Sequence, residues 1–157
     1  MNAPLKITPA PVRKTIVVNA PQDRAFEVFT ARMGAWWPKS HHIASAEMAE
    51  VIVEPHVGGR WYEKGVDGSE CQWGKVLVWE APSRVTLSWH LNSKFQIDEQ
   101  VDSSVEVRFV AEDTRTTRIE LVHRICAADA EDIRAAVDSP NGWTTLLGLY
   151  AETASRG

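Results

Sequence analysis

Apolar positions change their period three times along the chain. Lys14-Thr-Ile-Val-Val-Asn19 is a short β-branched run and predicts a first strand. Ala20-Pro-Gln-Asp23 then opens a helix, because Pro21 suits a first turn and Asp23 suits its positive end. Ala25, Phe26, Val28 and Phe29 give that helix one apolar stripe. The helix is short, since Met33-Gly-Ala-Trp-Trp-Pro38 brings a glycine and a proline within a few residues. From Ala46 to Arg124 the period is that of strands, over 46–54, 60–64, 70–80, 84–90, 104–112 and 116–124. Lys64-Gly-Val-Asp-Gly-Ser69, Glu80-Ala-Pro-Ser83 and Glu112-Asp-Thr-Arg115 are the turns between them. Beyond Cys126 the period becomes helical again over 127–137, and Ser139-Pro-Asn-Gly142 interrupts it. In a last helix over about 142–154, Trp143, Leu146, Leu147 and Tyr150 share one face at i, i+3, i+4 and i+7.

The order strand, short helices, six strands, long helix predicts an α+β layer: an antiparallel sheet with its helices on one side. A strongly curved sheet of this kind leaves a cavity where it stands off from the helix. Strand parity then assigns faces. Val85, Leu87 and Trp89 point in, as do Val105, Val107 and Phe109, and His90 points out. Ile119 and Leu121 carry His123 inward with them. Arg60 and Lys64 belong in water, which turns Trp61 and Glu63 inward. In the strand over 70–80, placing Lys75 outside sends Gln72, Gly74, Val76 and Val78 in, with Glu70 a further inward candidate. The same parity puts Trp73 and Trp79 on the outer face or at a covered edge, where a contiguous patch would favour a homodimer.

Composition sharpens this picture at one point. Seven Trp outnumber four Phe and two Tyr together, so indoles line something in a chain of 157 residues. Trp61, Trp89 and Trp143 fall on the inner wall and Trp36-Trp37 at the rim or mouth. The expected binding surface is Trp36, Trp61, Trp89, Trp143 and Tyr150, with Val76, Phe109 and Leu147 completing the apolar part. Glu63, Gln72 and His123 are its polar groups. An apolar concavity with a few converging polar groups is the usual make-up of a small-molecule site.

Charge and termini exclude other classes. Lys+Arg 17 against Asp+Glu 21 gives a net charge of −4, so no positive field gathers nucleic acid or an anionic membrane. No run approaches the about 18 apolar residues of a membrane span. Residues 1–12 carry Pro4, Pro9 and Pro11 and are expected to be an extended, flexible lead-in, with one domain over 13–157. They contain no signal-peptide core, and Cys71 and Cys126 form no CxxC, so a reducing cytoplasm is expected.

Glu63 and His123 are the one candidate catalytic pair, an imidazole acid or base with a carboxylate to orient it; a hydrogen-bonded buried His is the plainer alternative. His41-His42 lacks a supporting ligand set, so no metal and no cofactor is expected. The two cysteines carry no local activation signal. Gly58-Gly59 precedes a strand rather than a helix, so it is not a phosphate cradle.

Trp36-Trp-Pro38, Val57-Gly-Gly-Arg-Trp-Tyr-Glu63, Gly68-Ser-Glu70, Trp73-Gly-Lys-Val-Leu-Val-Trp-Glu-Ala-Pro82, Val85-Thr-Leu-Ser-Trp89 and Gly142-Trp143 form an ordered set. Together they resemble the activator-of-Hsp90-ATPase homologue family, within the START/Bet v 1-like superfamily, over about 13–155. The resemblance implies a helix-grip fold: seven curved antiparallel strands around a long C-terminal helix, with two short helices after the first strand and a hydrophobic cavity. Relatives on this fold bind lipids, hormones and polyketides or cyclise them, and fold alone does not choose among these. The favoured reading is non-enzymatic binding of a small hydrophobic or aromatic molecule. The alternatives are an acid/base enzyme on a polyketide-like substrate and a protein-interaction module. Hsp90 is the less favoured partner, because the chain has no room for the additional chaperone-binding domain of the eukaryotic co-chaperone.

Overall fold

The computed structural model describes residues 5–156. Seven strands form one antiparallel sheet in the order β1-β7-β6-β5-β4-β3-β2. They are β1 (Val12–Val18), β2 (Met48–Val53), β3 (Arg60–Gly65), β4 (Glu70–Glu80), β5 (Arg84–Trp89), β6 (Asp102–Ala111) and β7 (Thr117–Cys126). Five of the six pairings join consecutive strands through hairpins or short loops, and β1 closes the series by pairing with β7. Between β1 and β2 lie α1 (Gln22–Thr30) and α2 (Met33–Trp36); α3 (Ala130–Val137) and α4 (Trp143–Ser155) follow β7. Helix α4 packs on β1, α1 and α2, so its apolar stripe fills the concave side of the sheet.

The helices end where the sequence forces them to. Pro21 precedes α1 in extended conformation with Asp23 in its first turn, and Trp37-Pro38 stops α2. Gly142 starts α4 because a Cβ there would lie 2.1 Å from the Val137 carbonyl oxygen; only glycine lets the α3–α4 turn close so tightly. Trp143, Leu146, Leu147 and Tyr150 are all buried, as the i, i+3, i+4, i+7 spacing predicts.

The lead-in overlaps the fold more than its prolines suggest. Residues 1–4 lie outside the described residues, but Ile7 forms an antiparallel bridge with Ala127, and Arg134 Nε donates to the Ala10 carbonyl at 2.7 Å. β1 then begins at Val12 rather than Lys14.

Strand parity holds on β5, β6 and β7 and fails on β4. Val85, Leu87, Trp89, Val105, Val107, Phe109, Ile119, Leu121 and His123 are all buried. On β4 the register slips twice. Trp61 faces Gly74 and Tyr62 faces Gln72, which leaves Trp73 without a cross-strand partner. Val76 then faces Leu87 while Val78 faces Thr86, which leaves out Leu77. Each bulge inserts one residue and reverses the faces beyond it. Trp73 therefore turns inward and is fully buried, with Trp61 and Trp37 against it. Trp79 faces Val85 and meets the Phe26 ring edge-on at 5.0 Å. Neither tryptophan forms the outer patch that parity predicts. Gln72 and Glu70 are exposed instead of inward: Gln72 donates to the Gly74 carbonyl, and Glu70 pairs with Arg60. Gly74 is the residue that admits the first bulge, since a Cβ there would meet the Ser88 carbonyl oxygen at 1.9 Å.

Candidate functional site

Twelve of the aromatic and imidazole rings inside the sheet sort into two groups. Phe26, Phe29, Phe109, Trp36, Trp79 and Tyr150 pack at centroid separations of 5.0–5.7 Å between α1, α4 and the sheet. They make a solid core, with Tyr150 Oη donating to the Ala25 carbonyl and Trp36 Nε1 to the Val28 carbonyl. Burial raises the Tyr150 phenol far above its ordinary range, so it stays protonated. The second group is Trp37, Trp61, Trp73, Trp89, Trp143 and His123, joined at 5.0–6.3 Å. Each buried indole removes roughly 150–250 Å² from water, an upper bound of about 4–6 kcal/mol apiece.

Beside this second group lies a cavity of about 240 Å³. Trp73 and Trp89 supply its sheet wall, Trp143 and Leu146 its helix wall, and Trp37 its third aromatic side. Its mouth is bounded by Ser40-His-His-Ile43 after α2, by Phe95 in the β5–β6 loop, and by Ser139, Asn141 and Gly142 in the α3–α4 turn. Two hydrogen bonds tie this rim together. His41 Nε2 donates to the Asn141 carbonyl at 2.9 Å, and Trp37 Nε1 donates to the His41 carbonyl at 3.2 Å. His42, beside it on the rim, donates from Nδ1 to the Ala44 carbonyl at 2.6 Å. Among the described residues no group of three or more His, Cys, Asp or Glu is placed to hold a metal ion.

Glu63 sits behind the rim, completely buried. Its Oε1 accepts from the backbone N–H groups of Ile43 and Ala44 at 2.5 and 3.0 Å and from Trp73 Nε1 at 3.1 Å. One carboxylate oxygen thus holds the mouth loop and a cavity wall in register. Its Oε2 is buried without a partner among the described residues. Burial, and then the charge of Glu63, push the nearby Cys71 thiol up, which keeps it from acting as a thiolate.

His123 is equally buried, and its tautomer follows from its partner. Trp143 Nε1 is a donor only and lies 3.0 Å from His123 Nδ1, so Nδ1 is the unprotonated acceptor and the ring hydrogen is on Nε2. Burial lowers the imidazole to about 3, so the ring is neutral at ordinary pH. Among the described residues Nε2–H has no acceptor, and neither does the adjacent Trp89 Nε1–H.

The structure thus separates the residues singled out from sequence. Trp89 and Trp143 line the cavity. Trp61, Glu63 and His123 stand one layer behind it, and Trp36, Phe109 and Tyr150 lie in the solid core. Val76 and Leu147 are buried away from the cavity, and Gln72 is on the outer face. Glu63 and His123 make no hydrogen bond to one another; each is occupied by a different tryptophan. Trp37 lies at the cavity, as expected of the Trp36-Trp37 rim, whereas Trp73 and Phe95 are wall residues that sequence reasoning missed. The Trp73-Gly74 pair was the available signal for the bulge, because glycine inside a strand marks one.

A seven-stranded antiparallel sheet curled around a C-terminal helix, with two short helices after β1, defines the Bet v 1-like helix-grip class. Within it, the family model described as "Activator of Hsp90 ATPase homolog 1-like protein" matches residues 19–152, and the chain belongs to that family. No curated protein matches the chain significantly. Among solved structures it is 37% identical to an anthrahydroquino-γ-pyrone synthase, covering 92% of this chain and 97% of that one, with a TM-score of 0.61. It is 26% identical to a self-sacrificing resistance protein, CalC, from Micromonospora echinospora, over 92% and 94% of the two chains at a TM-score of 0.68. An Hsp90 activator from Plasmodium falciparum shares the fold at 19% identity, with 73% and 72% coverage and a TM-score of 0.50.

Proposed function

We propose that this protein binds a planar, largely apolar aromatic molecule in the indole-walled cavity. The observation that carries the reading is the convergence of Trp37, Trp73, Trp89 and Trp143 on one space of about 240 Å³ that opens between polar loops. Flat indoles offer area and orientation to flat ligands, and the Ser, His and Asn groups at the mouth meet polar substituents. An engineered apolar cavity of about 150 Å³ holds benzene. The larger space here suits two fused rings, with further rings or substituents emerging at the mouth. The anthrahydroquino-γ-pyrone synthase relative, whose name denotes a fused-ring aromatic product, supports the same ligand class.

The test is a titration of intrinsic Trp fluorescence with 1,8-dihydroxyanthraquinone, backed by calorimetry. Saturable quenching that weakens at least about tenfold in Trp89→Phe or Trp143→Phe supports the reading. No saturable response, or equal affinity in both variants with the fold retained, refutes it.

One observation favours a second reading, ring closure catalysed in the same cavity: the relative named a synthase is 37% identical over nearly the whole chain. His123 is a poor proton carrier on that reading, because it is neutral and walled off by Trp89 and Trp143. His41 and His42 are the titratable side chains that face the cavity. Turnover of a phenolic ynone to a γ-pyrone, lost in His41→Ala or His42→Ala, would decide for catalysis.

A further inference from the structure

Phe95 combines three features that are individually uncommon. It lines the cavity mouth, yet 42% of its surface is exposed. Its backbone lies in the left-handed region with φ of 56°, the sole non-glycine residue to do so among the described residues. And it is the one phenylalanine of the four with no aromatic ring packed against it among the described residues; Phe26, Phe29 and Phe109 all have such partners.

The local structure explains how the strained position is held. Phe95 N–H donates to the Asn92 carbonyl at 2.9 Å, closing a β-turn, and Asn92 N–H donates to the Gln96 carbonyl at 3.0 Å. Leu91 and Ile97 form an antiparallel bridge below, so this is a miniature hairpin with its left-handed residue at Phe95. Hairpins of this kind normally carry glycine at that residue. The Asn92 side chain accepts from Lys94 and Gln96 N–H, and Asp129 of the α3 start accepts from Ser93 N–H and Oγ. The turn is therefore pinned on both sides. A bulky residue where glycine is favoured, and left half in water, costs stability twice: once in backbone strain and once in unburied ring.

We infer that Phe95 is a ligand-binding residue, the outer aromatic wall that packs on the part of a fused-ring ligand emerging from the Trp37/Trp73/Trp89/Trp143 cavity. The inference rests on the cavity-binding reading and narrows it to planar ligands longer than the cavity itself. The ring then gains on binding the aromatic partner and the burial that it lacks in the free protein.

The experiment titrates 1,8-dihydroxyanthraquinone into the full-length protein and into Phe95→Gly and Phe95→Tyr, with a thermal melt of each. Phe95→Gly is expected to bind about tenfold more weakly, the worth of one aromatic contact, while melting a few degrees higher as the strain is released. Phe95→Tyr should keep affinity within about twofold, since the ring face is retained. Undiminished affinity in Phe95→Gly overturns this inference and leaves the cavity reading standing. A lower melting temperature in Phe95→Gly also overturns it, because the ring would then be a structural plug. Absence of saturable quenching in the unchanged protein overturns the cavity reading and this inference with it.

Discussion

Replacing His123 with Gln should flatten the acid limb of the stability curve. In the folded protein burial holds the imidazole at about 3, against 6.5 for an unperturbed ring. Between those values the unfolded chain binds a proton that the folded protein refuses, so stability rises with pH and is lost as pH falls through the window. The slope approaches about 1.4 kcal/mol per pH unit below 6.5, and between pH 7.5 and 5.0 the loss amounts to about 2 kcal/mol. Carboxylate effects come in lower. Glu106 is the clearest case: burial raises it, but Arg124, Arg84 and Arg108 together hold it below its ordinary value, so its contribution is lost only as pH falls further. Gln at position 123 retains an acceptor oxygen for Trp143 Nε1–H and carries no titrating group. Urea unfolding of both proteins at pH 7.5, 6.0 and 5.0 is the assay. The unchanged protein should lose about 2 kcal/mol more than His123→Gln over that range. Parallel curves would refute the reasoning and show that the ring takes up its proton while folded.

Removing the Glu63 carboxylate leaves three N–H groups around the mouth without an acceptor. Glu63→Ala should therefore cost about 3 kcal/mol or more by urea unfolding, and Glu63→Gln, which keeps one acceptor, distinctly less. Gly74→Ala should fail to give folded protein on size-exclusion chromatography, since its Cβ has no room beside the Ser88 carbonyl. Trp79→Ala should cost about 2–3 kcal/mol, as expected of a half-buried aromatic against Phe26, whereas an outward Trp79 would cost less than about 1 kcal/mol.

The parts of the fold legible in the sequence are those where a single periodicity runs uninterrupted. β5, β6 and β7 alternate without a break, so Trp89, Phe109 and His123 fall on the face that counting assigns. The α4 stripe is legible for the same reason. β4 is not, because parity carries no memory across a bulge: two single-residue insertions turn Trp73 and Trp79 inward and Gln72 outward. The cavity was harder still. Inward orientation is a property of one strand, but lining depends on where the layers separate, and that distance is set by residues far apart in sequence. Trp61 and Trp89 both point inward, yet only Trp89 touches the cavity. Phe95 lies in a loop where no periodicity exists, and its left-handed backbone contradicts its residue type.

The chain of indoles has an optical consequence. Trp36, Trp37, Trp61, Trp73, Trp89 and Trp143 lie ring to ring at 5.1–6.3 Å, far closer than the range over which tryptophans exchange excitation. Light absorbed by any one of them is expected to migrate among all six before it is emitted. The cluster behaves as a single antenna, with depolarised emission even in a rigid protein. A quencher seated against Trp143 alone would then darken Trp61, which no ligand in the cavity touches, and the fractional loss of signal would count the members of the antenna rather than the contacts of the ligand.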